Sequence, residues 1–160
     1  MHKLKYMANY NFNEDIIVGE DGEDVVINDL KDLGITLINK NKDNRYDINM
    51  MDGNGKEVKY EIKTDVFCRP EKDTGNIFVE YQCRGKFSGV LVTQAKWFVT
   101  YFKHLREIWY IQTDVLKKII VENDIPKVEF SGDANSNTKG WLLPRYQYKK
   151  HFIVRKVPKD

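Results

Sequence analysis

Between residues 46 and 65 the chain alternates apolar and polar positions. Tyr46, Ile48 and Met50 alternate with Asp47 and Asn49; Val58, Tyr60 and Ile62 alternate with Lys59, Glu61, Lys63 and Asp65. A period of two marks a half-buried strand. Asp52-Gly53-Asn54-Gly55 lies between the two runs, so strands over residues 46–52 and 58–65 are predicted to form a hairpin. Upstream the period changes. Glu23, Ile27 and Leu30 follow i, i+4, i+7, with Val26 and Leu33 widening the stripe, which predicts a helix over residues 20–33 ended by Gly34 as its C′ residue. Residues 1–13 read as a polar lead-in, and residues 14–19 fit either a short strand or a helical turn. A strand is predicted over residues 35–39, a loop over 67–75, and a strand over Asn76–Cys83. Thr93 suits the N-cap of a helix striped by Ala95, Phe98, Val99 and Phe102, with Trp97 and Tyr101 beside the stripe. Then come a strand over 107–112, a helix over 114–122 capped by Thr113, a short strand over 128–130, a polar loop over 131–138 and a segment over 151–157 that fits either a last strand or part of a partner surface.

This order, at 160 residues, predicts one α/β domain built on a single mixed β-sheet flanked by helices. Apolar and charged fractions of 41% and 31% are ordinary for a globular chain. No apolar run approaches the ~18 residues of a membrane span. The first residues lack the apolar stretch of a signal peptide, so the expected location is cytoplasmic, or the host cytoplasm for a phage-encoded chain. Cys68 and Cys83 are then expected as free thiols. A disulfide between flanking strands remains conceivable. The two cysteines and three histidines show no zinc spacing. Net charge is only +2, so bulk charge does not argue for nucleic acid. From Lys139 onward, however, Arg145, Lys149, Lys150, Arg155, Lys156 and Lys159 face one acid, Asp160. That segment reads either as a solvated basic tail or as a phosphate-contacting surface.

The hairpin carries the chemistry. Glu61 and Lys63 share a strand face about 6–7 Å apart, from a rise of ~3.3 Å per residue. Pairing brings Asp47 toward Glu61. Two carboxylates can hold a hard cation such as Mg²⁺, which keeps several waters, lowers the pKa of one and shields a phosphate. A lysine beside them can orient the attacking water or steady developing negative charge. An ion pair between Glu61 and Lys63 on a plain interaction surface is the simpler alternative.

Asp47 followed by Glu61-Ile62-Lys63 resembles the PD-(D/E)xK nuclease superfamily, without the proline that precedes the aspartate there. Gly19-Glu20-Asp21-Gly22-Glu23-Asp24-Val25-Val26 resembles the helix motif of its resolvase-like branch. Segments 74–80, 85–90 and 93–97 resemble a group of small, often phage-encoded members. The resemblance implies a restriction-endonuclease-like core and a Mg²⁺-dependent DNA endonuclease, with Mn²⁺ as a substitute. It implies that Asp47, Glu61, the Ile62 carbonyl and Glu23 (with Glu20 as the alternative) surround the metal, that Glu80 assists, and that Lys63 acts on the water. Gln82, Lys86, Ser88, Lys149 and Lys150 are the expected substrate contacts. Holliday-junction-resolvase-like or repair nucleases of this kind act on branched DNA, usually as homodimers. With no sequence-reading module visible, structure-directed cleavage is expected. A sequence-specific restriction-type enzyme, or a non-catalytic nucleic-acid-binding module on the same fold, are the alternatives.

Overall fold

A computed structural model describes residues 12–41, 43, 45–131 and 137–159. The first helix, α1, spans Phe12–Asp32, so it begins well before residue 20 and takes in the stretch that local pattern left open. The expected lead-in lies outside the described residues up to residue 11. At its C-terminus the Ile35 N–H donates to the Leu30 carbonyl (3.0 Å) and the Gly34 N–H to that of Lys31 (2.9 Å). With Gly34 at φ +81°, this is a Schellman stop with glycine at C′. Leu33, as the cap, is half exposed rather than part of the apolar stripe.

Strands β1 (Thr36–Lys40), β2 (Ile48–Met51) and β3 (Glu57–Asp65) follow. The predicted hairpin is present: β2 pairs antiparallel with β3, Ile48 opposite Tyr60. Next come β4 (Asn76–Cys83), β5 (Lys86–Phe87) and a 3-10 turn over Gly89–Leu91. Then β6 (Trp97–Phe102), β7 (Glu107–Gln112), α2 (Thr113–Glu122), β8 (Lys127–Ser131), β9 (Asn137–Pro144) and β10 (Ile153–Lys156) complete the chain.

Two expectations are corrected. Trp97–Phe102 is a strand, not a helix. It lies in the middle of the sheet and is covered on both faces, so its aromatic and β-branched residues form a continuous apolar run whose spacing also satisfies a helical template. And there are two sheets, not one. Six strands form a mixed sheet in the order β1-β2-β3-β6-β7-β10, in which only β3 and β6 run parallel. Four strands, β5-β4-β9-β8, form a second, antiparallel sheet. A parallel pair needs a long crossover; here residues 66–96 supply it with the β4–β5 hairpin and the 3-10 turn instead of a helix.

Apolar cores form on both faces of the six-stranded sheet. On one, Val26, Ile27 and Leu30 of α1 pack on Tyr60, Ile62, Val99 and Tyr101. On the other, Phe98, Phe102, Trp109 and Ile111 meet Leu116 and Ile119 of α2 and Ile77, Val79 and Leu143 of the second sheet. The basic C-terminal segment is a folded element, and three of its cations are committed to partners. Arg155 is paired to Asp29 of α1 (2.8 Å) and Lys156 to Glu107. Arg145 is fully buried, stacked on Phe102, Tyr146 and Trp109 and paired to Asp73 (2.5 Å). Both cysteines are free thiols. Thr113 is the first residue of α2, after Gln112 as its cap. Among the described residues no helix is long and apolar enough to cross a membrane.

Candidate active site

β3 is an interior strand, held by β2 on one side and β6 on the other. Its alternation sends Tyr60, Ile62 and Thr64 toward α1. Glu61 and Lys63 therefore point to the opposite face, in register with Phe98 and Thr100 of β6. That is why Glu61 is buried, at 6% exposure, although it is a carboxylate. Such a group needs partners. Lys63 Nζ lies 3.5 Å from its Oε2, and the Thr93 hydroxyl donates to its Oε1 at 3.4 Å.

Asp47 stands just before β2. Its backbone N–H donates to the Tyr60 carbonyl (3.0 Å), and its Oδ2 accepts the Ile62 N–H at 2.6 Å. The side chain thus continues the ladder one step beyond the end of β2. Because the N–H and C=O of a strand residue point to the same side, the Ile62 carbonyl also faces Asp47.

The electrostatics follow from burial. Desolvation pushes Glu61 up to about 7; Lys63 and Thr93 pull against it, and the nearby Asp47 charge adds to the rise. Desolvation also raises Asp47, against the Ile62 N–H and Lys63. For Lys63, burial disfavours the charge, but Glu61, Glu80 and Asp47 outweigh it and hold its pKa above the ordinary value. The cluster therefore has an ammonium that stays charged and two carboxylates reluctant to ionise together.

Sequence pattern brings Asp47, Glu61, Ile62 and Lys63 together, and Glu80 lies within electrostatic reach of Lys63. The 3-10 turn is pressed onto β4 there: a Cβ on Gly89 would meet the Glu80 carbonyl oxygen at 2.3 Å. Glu23 is placed differently. It is half-buried on α1, next to Gly22, which abuts Thr64, and α1 covers the face of β3 turned away from Glu61 and Lys63. The Glu20 side chain falls outside the described residues. Among the described residues no group of three or more His, Cys, Asp or Glu side chains is gathered as a metal site. Gln82 is half-buried on β4 and Lys86 exposed on β5. Lys149 and Lys150 are exposed in a 3-10 turn. Lys150 lines a groove beside α2 with Lys118, Ile119 and Tyr148, and this groove shares no residue with the Asp47–Glu61–Lys63 cluster.

Sequence reasoning missed the hydroxyls of Thr93 and Thr100 at this site, and named that of Ser88. Thr93, expected as a helix cap, instead accepts the Ala95 N–H (3.1 Å) within a turn while its hydroxyl meets Glu61. Thr100, the register partner of Lys63, and Ser88, read only as a substrate contact, have buried hydroxyls with no hydrogen-bond partner among the described residues. Comparison of the chain with protein-family models, curated proteins and solved structures finds no match.

Proposed function

We propose that this chain is a Mg²⁺-dependent DNA endonuclease whose centre is Asp47, Glu61 and Lys63, acting on DNA by structure rather than by sequence. One observation carries the reading: the buried Glu61 on β3 and the half-buried Asp47 just before β2 lie within electrostatic reach of one charged lysine, Lys63. The donor set suits a hard cation. It offers only oxygens, its acids are held back from ionisation by burial, and a second positive charge would relieve both. Mg²⁺ is commonly held by only one or two carboxylates and keeps several waters, so the lack of a third clustered acid is compatible with it.

Asp47, Glu61 and the Ile62 carbonyl would hold the ion. When bound, it supplies a water of lowered pKa and charge neutralisation at the phosphate. Asp47 is fixed by the Ile62 N–H, which keeps its second oxygen free to turn toward a ligand. Glu61 is held between Lys63 and Thr93, so its rotamer is set before substrate arrives. Lys63 is kept protonated; it therefore serves as a hydrogen-bond donor that orients the attacking water and steadies negative charge, not as the general base. In-line hydrolysis would leave 5′-phosphate and 3′-hydroxyl ends. A homodimer would present one such site to each strand.

The test is cleavage of end-labelled linear duplex, single-stranded, flap and four-way-junction DNA, and of RNA, with Mg²⁺ or Mn²⁺. Wild type should cut at least one DNA in a metal-dependent way. Glu61→Gln and Lys63→Ala should each lose on the order of 10²–10³ in rate while keeping the wild-type circular dichroism. Metal-dependent cutting that survives both substitutions would refute the assignment. A wild type that binds DNA and cuts none of it would favour the non-catalytic binding module.

A further inference from the structure

The β4–β5 hairpin reaches out next to this centre. Cys83 pairs with Lys86 and Gln82 with Phe87, so the turn is two residues, Arg84 and Gly85, at φ 53° and 77°. Two positive φ angles make a type I′ turn, where Gly, Asn or Asp is favoured. Arg84 holds the first position despite its Cβ, so the fold keeps a cation at the tip at some local cost. Arg84 and Lys86 are exposed. Phe87 follows, 70% exposed. Gln82 stands in one cross-strand row between Phe87 on β5 and Lys139 on β9.

A single exposed apolar residue is ordinary. Val121 is more exposed still, at 84%, but it lies on α2, which supplies no residue to the Asp47–Glu61–Lys63 cluster. Phe87 differs in its company and its attachment. No acid occurs from Arg84 through Gln94, and the segment runs straight into the centre. The Ser88 N–H donates to the Tyr81 carbonyl (3.0 Å), Gly89 lies against Glu80, the Thr93 N–H donates to the Gly89 carbonyl (3.0 Å), and the Thr93 hydroxyl meets Glu61. The tip is therefore fixed relative to the carboxylates rather than tethered loosely.

We infer that the hairpin tip is a stacking wedge for nucleic acid with unpaired bases: Phe87 takes the face of an unstacked base, Arg84 and Lys86 take the flanking phosphates, and Gln82 lies beside it to meet a base edge. In matched duplex every base face is already covered by its neighbours. An exposed aromatic ring gains there only by paying for unstacking. On a single strand, gap or flap the base face is open, and stacking on an aromatic side chain is tolerant of sequence. The two cations strengthen any nucleic acid alike. Phe87 is thus the residue that selects substrate, which defines structure-directed cutting as recognition of unpaired bases next to the cut. For its purpose this rests on the nuclease reading; its test does not.

The experiment is fluorescence anisotropy of the full chain in EDTA, with labelled single-stranded, gapped and matched duplex DNA. Wild type is expected to bind the single-stranded and gapped DNA about tenfold more tightly than the duplex, and Phe87→Ala to remove most of that margin, since base–aromatic stacking is worth roughly tenfold per base. Phe87→Trp should keep the margin. Arg84→Ala should weaken all three DNAs by similar factors and flatten the salt dependence. Equal wild-type binding to all three, or a margin unchanged in Phe87→Ala, overturns the wedge. Phe87 is exposed, so the variants are expected to melt as wild type does, which thermal denaturation checks. A Phe87-dependent margin in a protein that never cuts DNA leaves the wedge standing and the nuclease reading fallen. Metal-dependent cutting with no Phe87 dependence in binding does the reverse.

Discussion

Glu61 sits where a strand residue must be buried on both sides, and its charge is what the fold resists. Its pKa rises from 4.5 unfolded to about 7 folded, so the folded state holds a proton that the unfolded chain has released. The sign follows: the associated stability is fully present below about pH 4.5 and is lost as pH rises through about 7. Metal-free wild type should therefore lose up to about 3 kcal/mol relative to Glu61→Gln between pH 4.5 and 8. Urea denaturation of the two proteins at both pH values measures it, and parallel pH profiles would contradict the burial argument. Lys63, with its pKa raised above 10.5, does not titrate in this window. That Glu61 and Lys63 share one face was legible at this scale, because the alternation that makes β3 a strand fixes it; the placement of Glu23 against the opposite face was not. Nor was the placement of Thr93 against Glu61 and of Thr100 beside Lys63. Those positions depend on where the chain returns to β3 after some thirty residues, and a threonine's local preferences do not encode that.

At the scale of elements, the loop over residues 66–75 is anchored by a single buried cation. The Arg145 guanidinium, wholly buried, donates to Asp73 and to the Asn76 carbonyl while stacking on three rings. Arg145 in turn holds Asp73 well below the usual carboxylate range. Removing only the acid leaves the buried charge without its counter-ion. Asp73→Ala is therefore expected to cost about 3 kcal/mol in chemical denaturation, whereas replacing both partners by the apolar pair Asp73→Leu and Arg145→Met should cost less. A larger loss in the double variant would show that the rings, rather than the ion pair, set the anchor. Sequence pattern found the hairpin, β4, the end of α1 and α2, where apolar positions follow a period, and also β7, although β7 is buried on both faces as β6 is. It failed at β6. The run Trp97 to Phe102 is apolar on both faces, and a run without alternation fits a helix as well as a central strand.

The whole molecule sets the two sheets on a shared core, and the candidate centre lies where the first sheet's β3 meets the second sheet's β4 and the turn after β5. That junction explains how Glu61 becomes buried with Asp47 half-buried beside it. It also explains why a single sheet was expected. The partner that takes β4 out of the first sheet is β9, with Ile77 opposite Leu143, a pairing across more than sixty residues that no local period reveals. In the proposed function Asp47 and Glu61 together form one divalent-cation site. Calorimetric titration of the metal-free protein with Mn²⁺ near pH 7, in buffers of differing ionisation enthalpy, tests it most directly. The expected result is one ion bound per chain with net proton release, lost in both Asp47→Asn and Glu61→Gln. No binding heat, or binding that both variants retain, would contradict it.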